Sequence, residues 1–283
     1  MTTLLKTIIE PCLFSQPETI WADPSLVLAM IKEQLADLNR VSSNDSGIIL
    51  ACWNAEYLWQ AKADHFFDTY QEIISRHHLL AMQEVSPRGL ALLGQASGYN
   101  HIVSQPNNRG QAVGFLIHPR FAVSNIVEYT QLTKVYGIYN LRPALRVDLI
   151  DSRSNTALSV ITLHLKSMLG GLPSTSPIRI KQLHELMAAL ADNQYPTIIA
   201  GDFNCLLDTS ADIDPLLNNG YQLANKNNHT STQCGGGRLD GLFHKNLSAQ
   251  LRPKHYNIRN FWRSSLAGRS LSDHGLLTWQ LGG

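Results

Sequence analysis

The chain has 283 residues, of which 44% are hydrophobic and 16% are charged. This length fits one large domain or two small ones, and the apolar content is sufficient for a sizeable core. The formal net charge of +1 excludes a uniformly basic surface of the kind that attracts nucleic acid to a whole molecule.

Residues 1–46 are predicted to form an N-terminal helical extension that carries no chemistry. Asp23 and Pro24 are typical of a helix start, because aspartate caps the first turn and proline is tolerated in it. Apolar residues then recur at helical spacing. Glu10 and Pro11 interrupt the first apolar run, and no later run is long enough to span a membrane. The sequence therefore predicts a soluble, cytoplasmic protein with no membrane partner.

From residue 47 to residue 283 the sequence predicts one catalytic domain in which short apolar runs alternate with helix and turn signals. Many strands with few long helices favour two sheets packed face to face and covered outside by helices. Strands are predicted at residues 48–53, 79–82, 112–117, 145–150, 158–163, 195–204, 239–243 and 275–279, and helices at 60–77 and 176–191.

The segment at residues 195–204 has the clearest pattern. It begins at a turn signal, continues through β-branched residues and reaches Gly201, after which come Asp202 and Asn204. Side chains two residues apart in an extended chain point to the same side. A carboxylate and an amide presented together suit the binding of a water and a phosphate oxygen beside a metal. A strand that ends in an ordinary turn is the alternative, since both residue types are common in turns.

Polar residues also fall at the ends of the other predicted strands. Each has an ordinary explanation when taken alone, such as a turn residue, a solvated strand end or a hydrogen-bonded core histidine. Their recurrence at successive strand ends indicates one common site instead. The candidate residues are Asn54, Glu84, His164, Asp202, Asn204, Asp240, Asp273 and His274.

Six segments resemble, in their order along the chain, the endonuclease/exonuclease/phosphatase superfamily, which includes deoxyribonuclease I and exonuclease III. The resemblance covers roughly residues 47–280. It implies an α/β fold, a four-layer α/β sandwich with two central mixed β-sheets packed face to face and flanked by helices, and a site at one lip of the sheets. The segments are Trp53-Asn54, Gln83-Glu84-Val85, Leu163-His164, Gly201-Asp202-Phe203-Asn204, Leu239-Asp240 and Ser272-Asp273-His274.

The resemblance also implies a metal and an activated water. Mg²⁺, or alternatively Mn²⁺, prefers carboxylate and amide oxygens. Glu84 is the first expected ligand, with Asn54 and Asp273 close by, and Asp202 is expected to orient or deprotonate the attacking water. Glu56, two residues past Asn54, is either a second metal contact or a solvated acid.

Other residues are expected to act on the phosphate. The resemblance implies that Asn204 donates to it and that His274, held by Asp240, binds it as an imidazolium or transfers a proton. His164 resembles the second histidine of the deoxyribonuclease I branch, a candidate acid toward the leaving group. That branch holds this histidine with a glutamate, for which Gln111 is the available substitute here.

Two basic features complete the expected substrate surface. Arg142 resembles the arginine that family members direct at the substrate phosphate, and Arg146 is its competitor. Residues 251–269 mix five cations with three aromatic side chains, which fits phosphate contact combined with base stacking, or else a solvated loop.

The charged residues are unevenly distributed along the chain. Residues 226–283 hold eight basic and two acidic side chains, whereas residues 1–72 hold four basic and ten acidic ones. We therefore expect the C-terminal part to face phosphates. The four cysteines lack a metal-binding spacing, which is typical of reduced thiols, and a bridge between Cys205 and Cys234 is the alternative.

The sequence thus favours a divalent-metal-dependent phosphodiesterase, with DNA as the expected partner and substrate. A small-molecule phosphoesterase, for inositol phosphates or phospholipid headgroups, is the alternative, because one fold serves many substrates. A non-catalytic binding module is the third hypothesis. The intact set of acids, amides and histidines disfavours it, since a binding module does not require that many polar groups in one cleft.

Overall fold

The computed structural model describes residues 47–224, 226–261 and 271–282. The predicted helical extension at residues 1–46 lies outside the described residues. Among the described residues, the helices are α1 (Gln60–His65), α2 (Phe67–Ser75), α3 (Pro87–Ser97), α4 (Leu172–Ala189) and α5 (Asp214–Asn218), and single 3₁₀ turns occur at Thr130–Thr133, Ala211–Ile213 and Ala249–Leu251.

The first of two six-stranded sheets has the strand order β11-β12-β1-β2-β4-β3. Its strands β1 and β2 are parallel, and all other neighbours in it are antiparallel. The strands are β1 (Ile48–Leu58), β2 (Leu79–Val85), β3 (Asn100–Val103), β4 (Ala112–Ile117), β11 (Pro253–Arg259) and β12 (Leu276–Leu281).

The second sheet has the order β5-β6-β7-β8-β10-β9, with β7 and β8 as its parallel pair. Both sheets are therefore mixed, and each is built around one central parallel pair. The strands are β5 (Phe121–Tyr129), β6 (Ala144–Asp151), β7 (Thr156–His164), β8 (Thr197–Asp202), β9 (Gln222–Leu223) and β10 (Asp240–Lys245).

The two sheets pack face to face over a shared apolar core. Alternate residues of both central parallel pairs, such as Leu50, Ala81, Val160 and Ile198, belong to one buried cluster. The intervening residues face outward and are covered by α1–α3 on the first sheet and by α4 and α5 on the second. The predicted four-layer arrangement of helices and two mixed sheets is confirmed.

Several predicted elements differ in their bounds. The helix predicted over residues 60–77 is two helices, α1 and α2, separated at Phe66, whose φ of −109° and ψ of 25° leave the helical region. The helix predicted to begin at Ser176-Pro177 begins at Leu172, so Pro173 occupies its first turn and Pro177 lies inside it. Part of the basic segment 251–269 is the edge strand β11, and residues 262–270 lie outside the described residues.

The topology brings distant parts of the chain to one edge. Parallel strands end at the same edge of their sheet, so β1 finishes beside β2, and β7 beside β8. Their antiparallel neighbours β12 and β10 begin at that edge. Glycine is required at position 201 on β8, because a Cβ atom there would lie 2.2 Å from the backbone oxygen of Leu163 on the neighbouring strand β7.

Candidate active site

Asp202 lies at the centre of the polar residues that end the strands. Its carboxylate is 1% exposed. Oδ2 accepts a hydrogen bond from Nδ2 of Asn54 at 3.0 Å and lies 3.3 Å from Nε2 of His164, and Oδ1 accepts from the backbone N–H of Asn204 at 2.8 Å. Burial and the negative charge of Asp240 raise the pKa of Asp202 to about 7. This carboxylate can therefore exchange a proton near neutral pH.

Asp240 and His274 form a second buried pair. Asp240 is paired with Asp202 across β10 and β8, and its Oδ2 lies 2.8 Å from Nδ1 of His274. Burial alone would lower the pKa of His274, but the attraction and hydrogen bond of Asp240 outweigh it and raise the pKa to about 10. The ring is thus an imidazolium at neutral pH, and its Nε2 lies 3.9 Å from Oδ2 of Asp202 and 3.9 Å from Oδ1 of Asp273.

Thr232 supports this pair and was missed from the sequence. Its buried hydroxyl donates to Oδ2 of Asp240 at 2.7 Å and accepts the backbone N–H groups of Leu239 and Asp240. No pattern of spacing or residue type marks a threonine eight residues before Asp240. Ser272 has a similar role, because its hydroxyl donates to the backbone oxygen of Asn54 and accepts the N–H of His274.

His164 differs in charge from the expected acid. Burial, together with the positive charges of Arg142 and His274, holds its pKa well below the usual range. A neutral ring lacks the second proton that an imidazolium would give to a leaving group, and Nε2 lies 3.3 Å from Oδ2 of Asp202. The predicted partner Gln111 instead accepts a hydrogen bond from Arg142 at 3.2 Å. The geometry therefore favours a role for His164 in orienting Asp202.

Acidic side chains crowd the first-sheet half of the edge. Oε1 of Glu84 lies 4.0 Å from Nε2 of His164, while Oε2 is buried without a hydrogen-bond partner. Oε2 of Glu56 accepts the backbone N–H of Asp273 at 3.0 Å. Burial, followed by the charge of Asp273 and more weakly that of Glu84, raises the pKa of Glu56 against the opposing positive charge of Lys62. The carboxylate of Glu56 is therefore repelled by two other carboxylates, and a divalent cation bound among them would relieve that repulsion.

The donor atoms of this acidic cluster fit a hard divalent cation better than those of the buried pair. Asp202, Asp240 and His274 offer ligand atoms within 4.8 Å of one another, but Nδ1 of His274 is engaged by Asp240. Glu84 has a free buried oxygen, and carboxylate oxygens are the ligands that Mg²⁺ prefers. The amide of Asn54 already donates to Asp202 and accepts the N–H of Glu56, which leaves one lone pair on its oxygen.

Arg142 is positioned next to these acids. Its guanidinium donates to the backbone oxygens of His164 and Leu165, and the charges of Glu84 and Asp202 act on it. Asn204 shares the Leu165 oxygen through Nδ2, at 3.1 Å. These hydrogen bonds fix the position of the Arg142 guanidinium at this edge of the sheets.

The competing arginine has a different partner. Arg146 is bound through two nitrogens to Asp148, at 2.7 and 2.9 Å, so its guanidinium is engaged on β6. The sequence left Arg142 and Arg146 as alternatives for the phosphate-binding arginine. Because Asp148 engages the guanidinium of Arg146, Arg142 is the one that belongs to the candidate site.

Strained backbone is concentrated at this edge. Glu56, Tyr57, Glu84 and Asn204 have φ values of 43°, 57°, 54° and 51°, in the left-handed region that non-glycine residues rarely adopt. Such conformations persist where the surrounding structure holds a side chain in a required place.

Cys205 and Cys234 are free, the first buried and the second exposed, so the alternative of a bridge between them is excluded and the expected thiols are found.

In the described part of the chain, no helix combines the length and apolarity that crossing a membrane requires.

The sequence profile of the Endonuclease/Exonuclease/phosphatase family matches residues 51–274 of this chain. The chain belongs to this family. Members of the endonuclease/exonuclease/phosphatase family hydrolyse phosphoesters and are generally dependent on divalent metals. The resemblance inferred from the strand-end residues is thereby confirmed. No curated protein is significantly similar to the chain in sequence.

Solved structures of the family share the fold at low sequence identity. TDP2 of D. rerio, complexed with single strand DNA product, has a TM-score of 0.67 and 18% identity, over 84% of this chain and 100% of its own. The human Nocturnin catalytic domain with bound sulfate has a TM-score of 0.62 and 18% identity, and the match covers 83% of this chain and 93% of that domain. The mannosyl-6-phosphatase of Bacteroides thetaiotaomicron has a TM-score of 0.64 and 14% identity, and the match covers 83% of this chain and 100% of that enzyme. Family members with this fold therefore differ in substrate.

Proposed function

We propose that this chain is a divalent-metal-dependent phosphodiesterase that cleaves DNA by direct attack of an activated water. The supporting observation is the convergence of six polar side chains, one on or within two residues of each of six strands, with buried polar atoms left unpaired. Those atoms are Oε2 of Glu84, Nδ1 of His164 and Oδ1 of Asp240. Buried polar groups are normally satisfied by hydrogen bonds, so these unpaired atoms are available to bind a ligand.

Asp202 is assigned as the general base. A base works best when its pKa lies near the operating pH, and burial next to Asp240 raises the pKa of Asp202 to about 7. Asn54 and His164 both contact Oδ2, which fixes the carboxylate in one orientation. The backbone N–H of Asn204 donates a hydrogen bond to Oδ1, so the other oxygen of the carboxylate is held in place as well.

Three side chains are assigned to the phosphate. His274 carries a positive charge because Asp240 holds it as an imidazolium, and a positive charge stabilises the oxyanion that develops on phosphorus. Arg142 offers a guanidinium whose fork matches phosphate oxygens. Asn204 donates through its amide. Arg142 and Asn204 adjoin strands of the second sheet, and His274 lies two residues before β12 of the first, so the three groups approach the proposed base from both sheets.

Glu84, Asp273 and Asn54 are assigned to the metal, with Glu56 as a further candidate because its carboxylate contacts the backbone of Asp273. A bound Mg²⁺ or Mn²⁺ would neutralise charge on the phosphoryl oxygens and orient the substrate. We also propose residues 47–283 as the catalytic domain and residues 1–46 as a separate extension.

The choice of DNA is supported by the basic C-terminal part of the chain, in which eight basic residues accompany two acidic ones. A structural neighbour described with single strand DNA product is consistent with it. A small-molecule phosphoesterase is the second candidate, because a mannosyl-6-phosphatase has a comparable TM-score.

Incubation with supercoiled plasmid and Mg²⁺ separates these candidates. We expect nicking or cleavage of the plasmid, and its complete loss when EDTA removes the cation. Mannose 6-phosphate and an inositol phosphate, assayed in parallel for phosphate release, provide the comparison. An intact plasmid together with phosphate released from either small substrate would contradict the DNA assignment, and activity that persists in EDTA would contradict the metal.

A further inference from the structure

Two aromatic side chains lie exposed beside each other where β1 ends. Tyr57 is 42% exposed and Trp59 is 39% exposed. Their ring centroids are 6.0 Å apart and their planes differ by 26°, which is a stacked arrangement. Other large aromatics of β1 and β12, such as Trp53 and Trp279, are fully buried in the core. An exposed stacked pair contributes little to that core and presents a flat apolar surface to solvent.

This pair adjoins the residue assigned to the phosphate. The Trp59 ring packs on Gly110, where an added Cβ atom would lie 2.9 Å from the ring. Gly110 precedes Gln111, whose side-chain oxygen accepts from Arg142 at 3.2 Å. The two rings and the guanidinium therefore lie along one continuous rim.

The backbone that carries the pair is held in a strained shape. Tyr57 has a φ of 57°, a conformation in which glycine would be free of strain. The Nζ atom of Lys62 donates to the backbone oxygens of Ala55 and Glu56 and so fixes the chain just before Tyr57. The fold thus holds a large ring at a position where a smaller residue would fit the backbone better.

We propose that Tyr57 and Trp59 form a stacking platform for an unpaired nucleobase of a substrate strand whose phosphate contacts Arg142. The combination of a flat aromatic surface with an adjacent guanidinium matches the two parts of a nucleotide, its base and its phosphate. A base inside a duplex has both faces covered by neighbours, so the platform selects single-stranded nucleic acid. This inference rests on the proposed function for the placement of the phosphate.

The test compares binding of two labelled strands of equal length, a single-stranded oligothymidylate of about ten nucleotides and the same strand with every base replaced by an abasic tetrahydrofuran. Fluorescence anisotropy is measured in EDTA at one fixed salt concentration, with the dye at the far end of the strand. Because no hydrolysis is required, the result does not depend on whether the protein cleaves DNA. We expect the wild-type protein to bind the base-bearing strand about tenfold more tightly than the abasic strand.

The variant Tyr57→Gly combined with Trp59→Ala is expected to bind both strands equally, at the affinity that the wild-type protein has for the abasic strand. Glycine relieves the strain at position 57, so the melting temperature should not fall because of that change. Tyr57→Phe combined with Trp59→Phe keeps two rings and should restore the preference. Tyr195→Ala is the matched control, because Tyr195 is an exposed tyrosine just before β8, at the edge opposite to the site.

A wild-type protein without preference for the base-bearing strand would overturn the platform, as would a double variant that keeps the preference. Loss of the preference in the Tyr195→Ala control would also overturn it, because stacking would then not reside at this rim. If the base-bearing single strand stays intact in Mg²⁺ while the strand preference is present, the proposed function is contradicted and the platform is still supported.

Discussion

Replacement of Asp202 by asparagine is expected to lower kcat/KM for phosphoester hydrolysis by about 1,000-fold or more. An amide cannot accept the proton of the attacking water. The substitution also removes one of the negative charges that raise the pKa of His274 and so stabilise its imidazolium form. The effect should fall mainly on kcat, because the group is assigned to the reaction rather than to substrate binding. Steady-state kinetics on a cleavable phosphodiester with saturating Mg²⁺ measures it.

Folding should be little affected by the same substitution. Asp202 is buried beside the carboxylate of Asp240, and burying like charges together costs folding free energy that the neutral amide avoids. We expect a melting temperature equal to or above that of the wild-type protein.

Asp151→Asn is the matched control for Asp202→Asn. Asp151 is equally buried at the opposite edge of the second sheet, where it binds Arg120 through both oxygens at 3.0 and 2.6 Å. Breaking this buried ion pair should lower the melting temperature and leave kcat unchanged at temperatures where the protein is folded. An Asp202→Asn variant with wild-type kcat would exclude Asp202 as the base.

The second large effect is expected from Glu84→Gln. A glutamine retains the shape of Glu84 but removes the negative charge that acts on Glu56 in the acidic cluster. Loss of groups that only support a metal ligand already weakens metal binding about 10- to 100-fold, so loss of a direct ligand should raise the Mg²⁺ concentration for half-maximal activity by about 100-fold or more. Titration of activity with Mg²⁺, together with calorimetric titration of Mn²⁺, measures this shift.

Glu185→Gln provides the comparison for Glu84→Gln. Glu185 lies on the outer face of α4, where its carboxylate pairs with Lys181 at 2.6 Å and is partly exposed. Its substitution should leave the Mg²⁺ response unaltered, because an exposed pair of this kind contributes little even to stability. Equal Mg²⁺ requirements in Glu84→Gln and in the wild-type protein would remove Glu84 from the set of ligands.

Much of the site could be predicted because its residues end strands. The end of a strand is a local property, visible where apolar alternation stops at Asn54, Glu84, His164 or Asp202. That these ends meet follows from the topology, since each sheet has a central parallel pair whose strands finish at one edge. The order of the motifs along the chain supplied this topology through the family resemblance, which composition alone does not give.

Other features depend on contacts that have no local signature. Thr232 reaches Asp240 through a loop, and Lys62 binds backbone oxygens across the turn after β1. The neutral state of His164 follows from its burial beside two cations, which only the folded arrangement creates. The helix start was misplaced for a related reason, because Pro173 and Pro177 are both acceptable first-turn prolines by sequence and packing of α4 selects the earlier one.

The central claim is that side chains from both sheets prepare a water to attack phosphorus directly. Its sharpest test is the stereochemical course of cleavage of an oligonucleotide that contains one chiral phosphorothioate linkage, carried out in H₂¹⁸O with Mg²⁺. A single in-line attack by water predicts inversion of configuration at phosphorus, with ¹⁸O on the product phosphorothioate. Retention of configuration would require a covalent intermediate on the protein, and it would contradict the account, as would the absence of any cleavage.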